Sequence, residues 1–254
     1  MRQIQSSCNH KNTTVVISEA TCTKDGSSVT ACSTCGLTSG EPLVNNAYLE
    51  KCTFYPSYCK IKIKTATYIY SEPRSAKSTN TSVELEAAPL NTEYKVIGLY
   101  KNTGGNLWYQ VKTSTGRDGY IYSGRTTYVK KLYSDIKISD CVVPTEHKEG
   151  EIFTVSGTIT STYNKLKKAR VYVYSGLDTT GDKVLAGTDT ITNNSYVLND
   201  SKIDNAIYFD SLEPGNYTYV ISATYSNYYA KTTKELGVYN SSRTVKKVNF
   251  VVVP

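Results

Sequence analysis

"GNLWYQVKTSTGRDGYIYSG", residues 105–124, decides the fold, because two strand-like runs sit either side of a glycine-rich turn and carry the chain's single tryptophan. In a strand, neighbouring side chains point to opposite faces, so Trp108, Gln110 and Lys112 share one side and Tyr109 and Val111 the other. Val111 marks the core side. Tyr109 is therefore expected inward, and Trp108 outward, either under the loop that spans 71–82 or beside a ligand groove, with the groove favoured. Tyr70, Tyr120 and Tyr122 should supply an aromatic edge near it.

The rest of the chain agrees with a β-rich reading. Its 254 residues hold 23 Tyr against 4 Phe, 1 Trp and 1 Met. Tyrosine suits thin half-buried sheets, since its ring packs while its hydroxyl stays wet. Length favours roughly two or three domains of ~100–150 residues each. The net charge of +7 comes from scattered lysines, among them Lys60, Lys62, Lys64, Lys130, Lys131, Lys165, Lys167 and Lys168. Nucleic acid calls for a denser basic stripe with arginines, so no nucleic-acid partner is expected. Weak attraction to an anionic polymer such as a bacterial wall fits the charge better. No run reaches the ~20 apolar residues of a membrane span. "MRQIQSSCNHKN" lacks the apolar stretch of a secretory signal, and the extracellular-looking composition favours a fragment of a longer, secreted or phage-encoded protein.

Cysteines cluster early. Cys8, His10, Cys22, Cys32 and Cys35 fall within about thirty residues, and "CSTCG" at 32–36 is a C-x-x-C closed by glycine. Such a knuckle points two thiolates at one spot, and with C-x-H upstream it supplies enough ligands for tetrahedral, structural zinc. A disulfide framework is the alternative, natural in an oxidising setting. His10 favours zinc, because a histidine has no purpose in a disulfide. Cys52 and Cys59, in "KCTFYPSYCK", are candidates for a disulfide across Pro56, and Cys141 for a buried free thiol.

"CNHKNTTVVISEATCTKDGSSVTACSTCG" resembles a repeat common on surface and secreted proteins of gut Firmicutes, over about residues 8–44. The family's closing Pro-Ala-x-Gly-His is replaced by "EPLVNNAY", so Cys8 or His10 must complete any ligand set. The resemblance implies a spacer or interaction module at a cell surface.

From Ile61, "IKIKTATYIY" alternates, and "YKVIGLY", "NLWYQVK" and "GYIYSG" follow as short strands, which reads as a small barrel. "TYIYSEPRS", "YKVIGLYKNTGGNLWYQVK" and "GRDGYIYSGRTTYVK" together resemble a bacterial Src-homology-3-like domain over 61–133. That resemblance implies a module binding peptidoglycan, often attached to wall hydrolases. Here "Ile-Tyr-Ser-Glu-Pro-Arg" stands in place of the family's Val-Arg-x-Gly-Pro arm.

After "KKLYSD", seven strands are expected at "DCVVP", "IFTVSGTITST", "ARVYVYSG", "KVLAGTDTIT", "NAIYFDSL", "GNYTYVISATYS" and "KKVNFVVV". Alternation such as Val155, Gly157 and Ile159 against Ser and Thr gives one buried and one wet face, hence an antiparallel sandwich. In "LEPGNYTYVISATY", Pro214-Gly215 is expected to form a type II turn ahead of a tyrosine strand. The tyrosine after it resembles the corner of immunoglobulin-like domains, and the segment 134–254 looks like sandwich modules appended to clostridial wall amidases and peptidases.

The expected order is thus all-β: a Cys/His knuckle over 1–50, a linker over 51–60, a Src-homology-3-like barrel over 61–133, and an immunoglobulin-like sandwich over 134–254. Catalysis is not expected. His10 and His147 fall far apart, with His147 in the polar, loop-like "PTEHKEGE"; no nucleophile or metalloprotease motif occurs, and Asp178 and Asp182 lie in polar turns. The expected function is binding to cell-wall peptidoglycan or a surface glycan, extracellular or at the wall, with a catalytic domain upstream in the parent chain. The alternatives are a structural or adhesive spacer and a zinc-dependent hydrolase.

Overall fold

In the computed structural model, the described residues are 11–18, 26–35, 38–45, 52–73, 83–198, 203 and 207–254. Every regular element among them is a strand, apart from two single-turn 3-10 segments at Ser123–Arg125 and Phe209–Ser211. The all-β expectation holds.

Strands β1 (Asn12–Ser18), β2 (Gly26–Cys32) and β3 (Thr38–Asn45) form a three-stranded antiparallel sheet. Next come β4 (Thr53–Tyr55), β5 (Cys59–Ile63), β6 (Thr67–Tyr70), β7 (Glu84–Ala88), β8 (Glu93–Lys101), β9 (Leu107–Lys112), β10 (Asp118–Tyr122) and β11 (Thr126–Leu132). They make one eight-stranded sheet in the order β11-β5-β8-β9-β10-β6-β7, with β4 also paired to β8. The remaining strands are β12 (Lys137–Val142), β13 (Glu146–Lys148), β14 (Ser156–Thr160), β15 (Lys165–Ser175), β16 (Lys183–Thr190), β17 (Ser195–Val197), β18 (Gly215–Ala230) and β19 (Leu236–Val253). They split into a three-stranded sheet, β12-β14-β17, and a five-stranded sheet, β13-β19-β18-β15-β16.

The chain divides into two compact units. The first takes the described residues up to Tyr55, then Ile61–Tyr128 and Ala230–Glu235; the second takes Pro56–Lys60, Val129–Tyr229 and Leu236–Pro254.

In the first unit the alternation in β9 sorts the faces as its residue types demand. Leu99 of β8, Tyr109 of β9 and Ile121 of β10 are cross-strand partners, and all are buried. Ile61, Ile63, Ile69, Val96 and Val111 are fully buried with them. In β6 the core residue is Ile69, which leaves Tyr68 and Tyr70 on the other side of the strand. Gly119 permits this packing, since a Cβ there would meet the Ile69 side chain at 2.3 Å.

The second unit is a sandwich. Its core joins Val155 and Ile159 beside β14's strand to Val171 and Val173 of β15, Tyr219 and Ile221 of β18, and Phe250 and Val252 of β19. Phe153 stacks on Phe209 at 4.1 Å between ring centroids. One pair departs from the antiparallel rule: β13 runs parallel to β19, with His147 opposite Val252.

Three expectations change here. Residues 207–212 of "NAIYFDSL" form no strand; Tyr208 to Leu212 close a 3-10 turn, with Ser211 Oγ donating to the Tyr208 carbonyl, and this turn drops Phe209 into the core. Gly215 has no left-handed φ and opens β18, so Pro214-Gly215 is not the type II turn. "PTEHKEGE" carries a strand, because its histidine is buried although its neighbours are wet. Tyr217, two residues after Gly215, donates its Oη to the Glu213 carbonyl at 2.8 Å.

Candidate functional site

The side of the large sheet opposite the first unit's core carries two rows of aromatic residues. Cross-strand pairing fixes the first row: Phe54 of β4 lies opposite Tyr100 of β8, Tyr100 opposite Trp108 of β9, and Trp108 opposite Tyr122 of β10. In the second, Gly98 faces Gln110, Gln110 faces Tyr120, and Tyr120 faces Tyr70 of β6. Opposed residues in an antiparallel pair project to the same face, so these side chains share one surface. Gly98 leaves the space over which Phe54 lies: a Cβ there would come within 2.9 Å of the Phe54 ring.

The rings touch edge to face and tilted. Trp108 meets Tyr70 at 6.0 Å and Tyr122 at 5.3 Å between centroids; Tyr100 meets Tyr120 at 5.3 Å and Phe54 at 5.2 Å; Tyr68 adds an edge contact to Tyr70 at 6.4 Å. These are the separations at which aromatic pairs attract beyond simple burial.

Trp108 does take the face opposite Tyr109 and Val111, but it is not an open platform. It is only 6% exposed, and Tyr120 is buried as well. Tyr70 and Tyr122 are half-buried, whereas Tyr68 and Phe54 are 43% and 48% exposed. The four residues singled out from sequence thus come together, with Trp108 as the floor. Tyr68, Tyr100 and Phe54 complete the surface; Tyr68 and Tyr70 were visible in the TYIY alternation, but Phe54 was hidden in a supposed linker. The indole Nε1 of Trp108 is buried and has no hydrogen-bond partner among the described residues.

Around the phenols the electrostatics are acidic. Burial pushes the Tyr120 hydroxyl well above its ordinary value, and the Tyr100 hydroxyl, Asp118 and Glu72 push in the same direction. Burial also raises Tyr100, while the Tyr120 hydroxyl donating to it works against that rise. Both phenols therefore stay protonated and keep donors on this face at neutral pH.

Of the suggested zinc ligands, Cys8, His10 and Cys22 lie outside the described residues. Cys32 is buried and Cys35 exposed, and the Thr34 amide donates to Cys32 Sγ at 3.4 Å. The Cys52–Cys59 pairing is overturned. Cys52 is disulfide-bonded, but Cys59 is a free thiol with no exposed surface. Cys59 sits where β5 begins, points inward, and lies 3.5 Å from Ser57 Oγ, so it is directed away from any bridge to Cys52. Cys141 is free and half-buried.

A polar cluster that sequence reasoning missed lies in the second unit. His147 is 2% exposed; its Nε2 is 2.9 Å from Asp210 Oδ1, which also accepts from the Gly150 amide at 3.2 Å. Phe153 and Phe209 flank the imidazole at 5.8 Å each. The cleft beside it holds about 50 Å³, room for a water or two, and its described lining offers no hydroxyl or thiol nucleophile. This pair ties β13 to the 3-10 turn.

Comparison with known proteins gives no match: neither a protein family, a curated protein nor a solved structure is recognisably similar to the chain. None of the helical turns is long or apolar enough to cross a membrane among the described residues.

Proposed function

We propose that the chain is a non-catalytic binding region that targets a secreted or phage-encoded protein to bacterial cell-wall peptidoglycan through the aromatic face of its first unit. The observation that carries this reading is the pair of aromatic rows, rimmed by exposed Tyr68 and Phe54 over a Trp108 floor. Aromatic rings offer flat apolar faces to the C–H sides of sugars, while phenol hydroxyls bond to their oxygens. The net charge of +7 adds attraction to an anionic wall. A disulfide at Cys52 agrees with an extracellular setting. The same reading keeps a structural zinc at the N-terminal knuckle, with Cys8, His10, Cys22, Cys32 and Cys35 as its ligands.

Sedimentation with purified Gram-positive walls tests it. The intact protein should co-sediment, and Tyr68→Ala and Phe54→Ala, at exposed positions, should weaken that several-fold while the protein stays folded with a small drop in melting temperature. No co-sedimentation, with an elongated particle by small-angle scattering, would instead favour an adhesive spacer.

A further inference from the structure

We propose that the first unit carries a second binding site, a cavity of about 480 Å³ that takes a small carboxylate-bearing ligand. It goes beyond the wall-binding reading and uses none of the residues of the aromatic face.

The cavity is lined by Lys64, Ser123, Thr126, Thr127, Lys231 and Thr232, among others, and no carboxylate lines it among the described residues. Its size falls in the ~300–1,000 Å³ range of small-molecule sites. Two features of the fold build it. The 3-10 turn at Ser123–Arg125 sets the wall, where Lys64 donates its amide to the Arg125 carbonyl at 3.0 Å. The segment Ala230–Glu235 supplies the opposite side: its Ala230 amide donates to Tyr109 Oη at 2.9 Å and its Thr233 carbonyl accepts from the Leu107 amide at 2.8 Å. One side is thus bonded to the residue that follows β5 and the other to β9, which makes the cavity a preformed feature.

The lining chemistry is that of donors. Ser123 is 7% exposed, lines the cavity, and its Oγ has no hydrogen-bond partner among the described residues. Polar atoms left so are uncommon in folded proteins and point to a missing partner. Thr126 spends its hydroxyl proton on the Ser123 carbonyl, 3.0 Å away, which holds the serine in place. Lys64 forms no ion pair among the described residues, and its charge is available to an anion. Lys231 bridges to Glu235 at 2.7 Å, but both side chains are more than half exposed, and such a pair yields easily to a competing anion. A hydroxyl donor and an ammonium without an ion pair among the described residues, both on the lining of one cavity, suit a carboxylate, which accepts from both; a cation would meet like charge.

The test titrates the whole protein with N-acetyl-alanine and, separately, with its neutral amide, following backbone amide resonances by NMR. Saturable shifts confined to residues 64, 123–127 and 230–233 are expected with the acid and not with the amide. Ser123→Ala should weaken binding about five- to tenfold, the worth of one hydrogen bond, and Lys64→Gln should weaken it and flatten its salt dependence. Ser123→Ala removes a hydroxyl with no hydrogen-bond partner among the described residues, so its melting should match the parent, and Lys64→Gln alters an exposed side chain. Equal shifts with acid and amide, non-saturating shifts spread over the surface, or unaltered affinity in Ser123→Ala would each overturn the proposal.

Discussion

Asn227 and Tyr58, 169 residues apart, are joined by a hydrogen bond of 2.6 Å in which the Tyr58 amide donates to Asn227 Oδ1. The same side chain donates from Nδ2 to the Tyr133 carbonyl at 3.1 Å, and Asn227 is fully buried. One amide thereby stitches Pro56–Lys60 and the start of β11's continuation to β18, with the Tyr58 ring packed on Tyr133 and Tyr163. Asn227→Ala strands a buried N–H and a carbonyl together, and should cost about 2–6 kcal/mol at ~1–3 per unsatisfied group. Asn227→Asp keeps the acceptor but loses the donor, and should be equally damaging. Urea unfolding followed by circular dichroism checks both.

Asp135 gives a pH signature. Burial works to raise its carboxyl, but hydrogen bonds from Ser161 Oγ, the Tyr163 amide, Asn164 Nδ2 and the Thr162 amide outweigh it and hold the carboxyl below its usual value. The folded value lies below the unfolded one, so the stabilisation is complete above the unfolded value of about 3.9 and drains away as pH falls through the folded one. Asp135→Asn should lose about 1–3 kcal/mol at neutral pH and should lose less extra stability than the parent between pH 5 and 2. Parallel acid titrations of the melting temperature would read this; identical pH slopes would be the contrary result.

Much of the fold was legible because sheets announce their faces by alternation. The opposed burial of Ile121 and Tyr109 against the Trp108 side follows from period two alone, as does Val171 and Val173 of β15. What alternation does not disclose is cover. Trp108 was placed on the right side but is buried, because Tyr70 and Tyr122 close over it from β6 and β10. His147 was hidden by wet neighbours, since burial of one residue in a three-residue strand leaves no period. Pro56–Lys60 looked like a linker because its partner, Asn227, is far away in the chain. The cavity beside Ser123 was invisible for the same reason: its two sides come from residues over a hundred positions apart.

Cys59 should be inert despite being a free thiol. It has no exposed surface, and burial pushes its thiol up to about 12, the Ser57 hydrogen bond lowering it only in part. Thiolates, not thiols, attack disulfide reagents. With native protein at pH 8, mass spectrometry after alkylation should find Cys59 unmodified until denaturant is added. Raising the pH towards 10 should not label Cys59 while the fold is intact.

Trp108 offers the sharpest measurement, since it is the sole tryptophan. At 6% exposure, its emission should be blue-shifted and poorly quenched by acrylamide. Trp108→Ala should cost about 3–5 kcal/mol, the usual penalty for emptying a buried aromatic site, and Trp108→Phe less, because the ring contacts to Tyr70 and Tyr122 survive in part and the lone indole N–H is removed. If wall sugars lie over this floor, emission should shift on adding soluble wall fragments while Trp108→Phe still folds. Ready quenching in the free protein would place Trp108 at the surface and refute the covering role of Tyr70 and Tyr122.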